Sequence, residues 1–111
     1  MYHCCGNVNE LMERFIDLGI DISDPIQVSS DGMDLENVAA KYKGRIMFHG
    51  AVSSQMTFTH GTPEDVYRET QDAIRILGPC GYIPAPDHYL IGSVTAEKVE
   101  AFVRAVKEYK L

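Results

Sequence analysis

The chain has 111 residues, 45% of them hydrophobic, and a formal net charge of -6 from 10 basic and 16 acidic side chains. That is enough apolar material for one core and excludes a disordered chain, while the absence of any Lys or Arg run excludes a nucleic-acid footprint. No segment is apolar over the length of a bilayer span, and three cysteines, two of them adjacent, make a poor disulfide framework. These features predict a cytoplasmic protein with a single domain over residues 1–111, no membrane contact and small-molecule or protein partners.

The first stretch, Tyr2-His3-Cys4-Cys5-Gly6-Asn7, sits where an extended segment gives way to a helix. Side chains two apart on a strand point to the same side, so His3 and Cys5 can converge on one metal ion. A hydrogen-bonded scaffold histidine beside a packed cysteine would leave the same pattern. Asn7 followed by Glu10 reads as a capping box opening a helix over residues 8–18, with Val8, Leu11, Met12, Phe15 and Ile16 on its apolar face and Gly19 as its stop. Residues 20–27 read as a short strand whose pairing ends near Pro25.

Asp34 announces a second helix with Leu35, Val38, Ala39 and Tyr42 inward, and Gly44 ends it. Residues 45–50 form a nearly continuous apolar run, the pattern of a strand covered on both faces. A mixed connection follows over residues 51–60. Thr62-Pro63-Glu64-Asp65 is the strongest local signal: a capping threonine, proline at the first helical position and acids in the positive first turn. It predicts a helix to Leu77 with Val66, Thr70, Ala73, Ile74 and Leu77 inward. Residues 81–86 read as a strand carrying two prolines, and Thr95 as the cap of a last helix with Val99, Phe102, Val103 and Val106 inward. Tyr42, Tyr67 and Tyr109 read as packing groups with wet hydroxyls.

Strand and helix thus alternate four times at the spacing of parallel crossover units, an α/β pattern of consecutive parallel βα units. No Gly-x-Gly-x-x-Gly follows the first strand, so a dinucleotide site is not expected. In parallel architectures ligands gather at the carboxyl ends of the strands. Sorting by that rule gives His3, Cys5 and Asn7 after the first strand, Asp24 and Gln27 after the second, His49 at the third, and Asp87 with His88 after the fourth. Asp24 also suits turn initiation before Pro25, and His49 also suits packing in a buried strand. A catalytic zinc takes three protein ligands. Cys80 lies before the last strand, about 17 Å from the rim by strand length, so His88 is the better third partner for His3 and Cys5.

His3-x-Cys5-Gly6-Asn7, Gly19-Ile20-Asp21, Asp24-Pro25-x-Gln27, Arg45-Ile46-x-Phe48-x-Gly50, Gly61-Thr62-Pro63-Glu64-x-Val66 and Gly81-Tyr82-Ile83-x-Ala85-Pro86-x-His88 follow one another in order. Together they resemble the C-terminal half of the uroporphyrinogen decarboxylase superfamily, which includes the cobalamin-dependent methyltransferases. The resemblance implies the last four units of a TIM (β/α)8 barrel. It implies zinc on His3, Cys5 and His88, activating a thiol that accepts a methyl group from a methyl-corrinoid carried by a partner protein. Asp87 and His88 take the place where the methyltransferases carry a cysteine, and they are the candidate catalytic residues; Asn7, Asp24, Gln27 and His49 are candidate substrate ligands. His88 also resembles the histidine in the porphyrin pocket of the decarboxylases, which implies metal-free tetrapyrrole decarboxylation as the alternative. The N-terminal half with its substrate-gripping arginine and aspartate is not in this sequence, so a half-barrel without catalysis of its own is a third expectation. Unpaired sheet edges and an uncovered apolar face predict a homo-oligomer.

Overall fold

The computed structural model describes residues 1–110, apart from the side chain of Cys80. Strands β1 (Tyr2–His3), β2 (Ile22–Ile26), β3 (Met47–Val52) and β4 (Tyr82–Pro86) alternate with helices α1 (Met12–Asp17), α2 (Leu35–Tyr42), α3 (Pro63–Leu77) and α4 (Ala96–Glu108). The strands form one sheet in the order β1-β2-β3-β4, every pair parallel. This is the alternation read from the sequence. It follows from helical stretches that each bury an apolar stripe on the strand before them.

The local signals explain most boundaries. Thr62 accepts a hydrogen bond from Asp65 N at 3.1 Å while Asp65 Oδ2 accepts from Thr62 N at 2.9 Å, so the capping box that opens α3 is complete. The buried face of α3 is Val66, Thr70, Ala73, Ile74 and Leu77, as its spacing predicts. Phe48 on β3 packs under this layer with Ala73, Leu77, Val38 and Tyr42, and Val52 meets Phe58 and Val66 farther along. Alternation turns Met47, His49 and Ile83 to the other face, where Met47 is 37% and Ile83 40% exposed.

Several details differ from the sequence expectation. The first helix opens with a tight 3-10 turn at Asn9–Leu11 and becomes α-helical only at Met12. Asn9 is drawn into the core, where its Nδ2 donates to Gly32 O at 2.7 Å and its Oδ1 accepts from Tyr42 OH at 2.9 Å; Leu11 is left exposed. The Tyr42 hydroxyl is therefore buried and satisfied by protein, not wet. Pairing does not stop at Pro25: the ladder slips between Ser23 and Ile26 and resumes with Ile26 opposite Gly50. Gly50 is needed there, because at φ +100 a Cβ would meet the Pro25 Cβ at 3.0 Å. The mixed connection begins later than read, since Ala51 and Val52 belong to β3, and it holds a π-helical turn at Ser54–Phe58.

The last difference is in α4. Its buried residues are Lys98, Ala101 and Ala105, whereas Val99, Val103 and Val106 are 39%, 42% and 36% exposed. Small alanines let α4 approach closely enough for Gln71 Nε2 on α3 to donate to Ala105 O at 2.7 Å. The Lys98 stem lies in the interface and its Nζ reaches Phe58 O at 2.8 Å and Thr59 O at 3.3 Å. Of the four residues expected inward, Phe102 alone packs there, its ring 6.0 Å from that of Phe58.

Candidate functional site at the carboxyl rim

The parallel register places His3 opposite Asp24, and His49 projects from the neighbouring strand on the same face. One carboxylate then bridges two imidazoles: His3 Nδ1 lies 2.8 Å from Asp24 Oδ2, and His49 Nδ1 lies 2.6 Å from Asp24 Oδ1. Burial works to raise the Asp24 carboxyl, but the hydrogen bonds and charge of His3 and His49 outweigh it and hold the group below the ordinary aspartate range. The loop after β1 is tied to the same strand, with Cys4 N donating to Asp24 O and Gly6 N to Gln27 Oε1, both at 2.7 Å. Cys5, between these anchors, is exposed, and Cys4 packs toward the core as its opposite direction predicts. Asn7 is used by the turn itself, its Oδ1 accepting from Asn9 N at 3.1 Å.

A second group stands at the other side of the rim. Asp87 follows β4 and is buried; its N donates to Val52 O at 2.8 Å, and its Oδ1 accepts from Ser54 N at 2.8 Å and Ser54 Oγ at 2.6 Å. Its Oδ2 is buried with no hydrogen-bond partner among the described residues. Next to it, Glu69 Oε1 accepts from Ser53 N at 2.9 Å. Burial holds the Glu69 carboxyl above its ordinary value, and the nearby charges of Asp87 and Asp65 push the same way. A cavity of about 240 Å³ opens beside Ser54 and is lined by Gln55, Thr59, His88, Tyr89 and Ile91. The exposed His88 ring packs 4.3 Å from Tyr89 at its mouth.

All the candidate residues thus share one rim, but they form two groups. His3, Asp24 and His49 come together with Gln27 and the Cys5 loop, while Asp87 and His88 stand by Ser54. The sheet order puts β1 and β4 at opposite edges, three strand spacings or about 14 Å apart along the sheet. Among the described residues, no group of three or more His, Cys, Asp or Glu side chains is arranged to hold a metal ion. The Asp24 carboxylate on Nδ1 leaves the His3 Nε2 free, the usual outer-shell arrangement for a ligating histidine, and Cys5 stands exposed two residues on. The Cys80 side chain, which the sequence places away from the rim, lies outside the described residues. Ser54, Glu69 and Lys98 were not foreseen. Ser54 could have been found by the same strand-end rule, but nothing in the sequence separates Glu69 from a solvent-facing helix acid.

The family model described as uroporphyrinogen decarboxylase matches residues 1–109, nearly the whole chain. The chain belongs to the uroporphyrinogen decarboxylase family. A comparison with curated proteins finds no match. Among solved structures, this family member is similar to a methyltransferase from Methanosarcina mazei, with a TM-score of 0.75 and 24% identity. The match covers 96% of this chain and 30% of that one, so the chain spans under a third of the methyltransferase's length. At that identity the likeness is one of fold: four parallel βα units, as in half of a TIM-barrel-like uroporphyrinogen decarboxylase family protein. Among the described residues, no helix is long and apolar enough to cross a membrane.

Proposed function

We propose that this chain carries the acceptor side of a cobalamin-dependent methyltransferase, moving a methyl group from a methyl-corrinoid on a partner protein to a small thiol. The observation that supports this most is His3 held through Nδ1 by Asp24, with the exposed Cys5 thiol two residues on. His3 and Cys5 would hold zinc, and the loop carrying His88 would have to move in from the Ser54 side of the rim for His88 to serve as the third ligand. Zinc bound there would lower the pKa of the acceptor thiol and keep it as a nucleophilic thiolate. The chain's own residues orient the ligands: Asp24 fixes the His3 ring, and Gln27 fixes the loop that presents Cys5. Protein purified without chelator is expected to hold about one zinc per site, lost in a Cys5→Ser variant. Elemental analysis that finds no zinc in the unaltered protein would sink this reading.

The family model supports a second reading, decarboxylation of a tetrapyrrole without metal, with Asp87 and His88 beside the Ser54 cavity as the acting groups. Conversion of a uroporphyrinogen by zinc-free protein would favour it over methyl transfer. Either activity calls for the rest of a barrel. The free edges of β1 and β4 and the exposed valines of α4 fit association with a second copy of this chain. The 111-residue chain is expected to run as a dimer or larger species in light scattering, and a monodisperse monomer would refute that.

A further inference from the structure

We propose that Asp24 is the positioning residue of this site and that His49 is its second working group, a specificity residue for the substrate. The inference rests on the methyltransferase reading only for what His3 would ligate. A carboxylate offers acceptors alone, so a neutral ring that bonds it through Nδ1 must carry its proton on Nδ1. With His3 at 2.8 Å on one oxygen and His49 at 2.6 Å on the other, Asp24 locks both rings in that tautomer. Both Nε2 lone pairs then point away from the carboxylate. His3 is more open and His49 more enclosed, with side-chain exposures of 61% and 26%. The open lone pair suits a metal ion. The enclosed one would accept a hydrogen bond from a hydroxyl or ammonium group on a small substrate whose sulfur is held at the metal.

The pairing is a built feature. His3 and Asp24 are partners in the β1–β2 register, Cys4 N is anchored to Asp24 O, and the slip of β2 at Pro25 is accommodated by Gly50, the residue after His49. Three strands therefore converge on one carboxylate. A merely structural aspartate would need to hold only its own turn.

The test is Asp24→Asn. An asparagine has one acceptor oxygen and one donor nitrogen, so it can satisfy only one ring as Nδ1–H and must turn the other into the Nε2–H tautomer. Two-bond proton–nitrogen NMR of the metal-free protein at mildly alkaline pH reads this directly, with His60→Gln and His88→Gln backgrounds to clear the other imidazoles. Both His3 and His49 are expected as Nδ1–H in the unaltered chain, and one of them as Nε2–H in the variant. An Nε2–H ring in the unaltered chain, or no change on substitution, overturns the proposal. Zinc affinity is expected to fall about 10–100-fold in Asp24→Asn. In His49→Gln it is expected to stay unchanged while binding of 2-mercaptoethanol to the cobalt(II)-substituted protein weakens by about two- to tenfold. Thiol binding untouched by His49→Gln would remove the role given to His49. Expected tautomers in a protein that takes up no zinc would uphold Asp24 as the positioning residue and sink the methyltransferase reading instead.

Discussion

Replacing Phe48 by alanine is expected to cost about 3–5 kcal/mol of folding stability, the range for emptying a fully buried phenylalanine site. The side chain is fully buried on the inner strand β3, under α2 and α3, against Val38, Ala73 and Leu77. Little can collapse into the space, since β2 and β4 hold β3 on both sides. Against a typical total of about 5–15 kcal/mol, the loss is large enough to leave the variant partly unfolded at ordinary temperature. Met47→Ala, one residue earlier and on the open face, is the control; it is expected to cost about 1 kcal/mol or less. Urea unfolding of the two variants checks the difference. Equal losses would mean that the sheet is packed from both faces or from neither. The same strand carries His49, so a Phe48→Ala protein that still folds should also lose definition at the Asp24 bridge.

The contrast between these neighbours reflects which levels of structure the sequence encodes locally. Helix α3 was legible because Thr62, Pro63 and Asp65 act on the first turn alone, and because its buried face repeats at helical spacing. The parallel order was legible because four apolar runs are each followed by a helix-length segment. Long-range competition hid the rest. Asn9 gave up a helical start for hydrogen bonds to Gly32 and Tyr42, partners more than twenty residues away. On α4 the valines looked like the core stripe, yet Ala101 and Ala105 face α3 because close approach there rewards small side chains over apolar ones. Lys98 is buried through its stem, which a residue-type rule counts as exposed. At the rim, strand-end sorting placed His3, Asp24, Gln27, His49, Asp87 and His88 at the same end of the sheet, as the strand register does, but it could not say which of them meet. That Asp24 serves two histidines depends on the register of three strands, and no local pattern records it.

Asp87 shows the same limit with a larger consequence. Its place in the sequence suggests a reacting group, whereas its geometry is that of a clamp joining the β3–α3 and β4–α4 loops through Ser54. Asp87→Ala is expected to cost about 2–4 kcal/mol, because it leaves the buried Ser54 N–H and hydroxyl without an acceptor and opens a small void. Asp87→Asn should behave differently. Asparagine keeps an oxygen toward Ser54 and puts a neutral amide nitrogen where the carboxylate oxygen has no partner among the described residues, trading a buried charge for unpaired donors, so its stability should lie within about 1 kcal/mol of the parent. The pair of variants separates scaffold from chemistry when unfolding and zinc or porphyrin binding are measured together. If Asp87 is only a clamp, the asparagine variant keeps both stability and binding. If its negative charge acts on a ligand in the adjoining cavity, the asparagine variant stays folded and loses binding, a result that no loss of packing could produce.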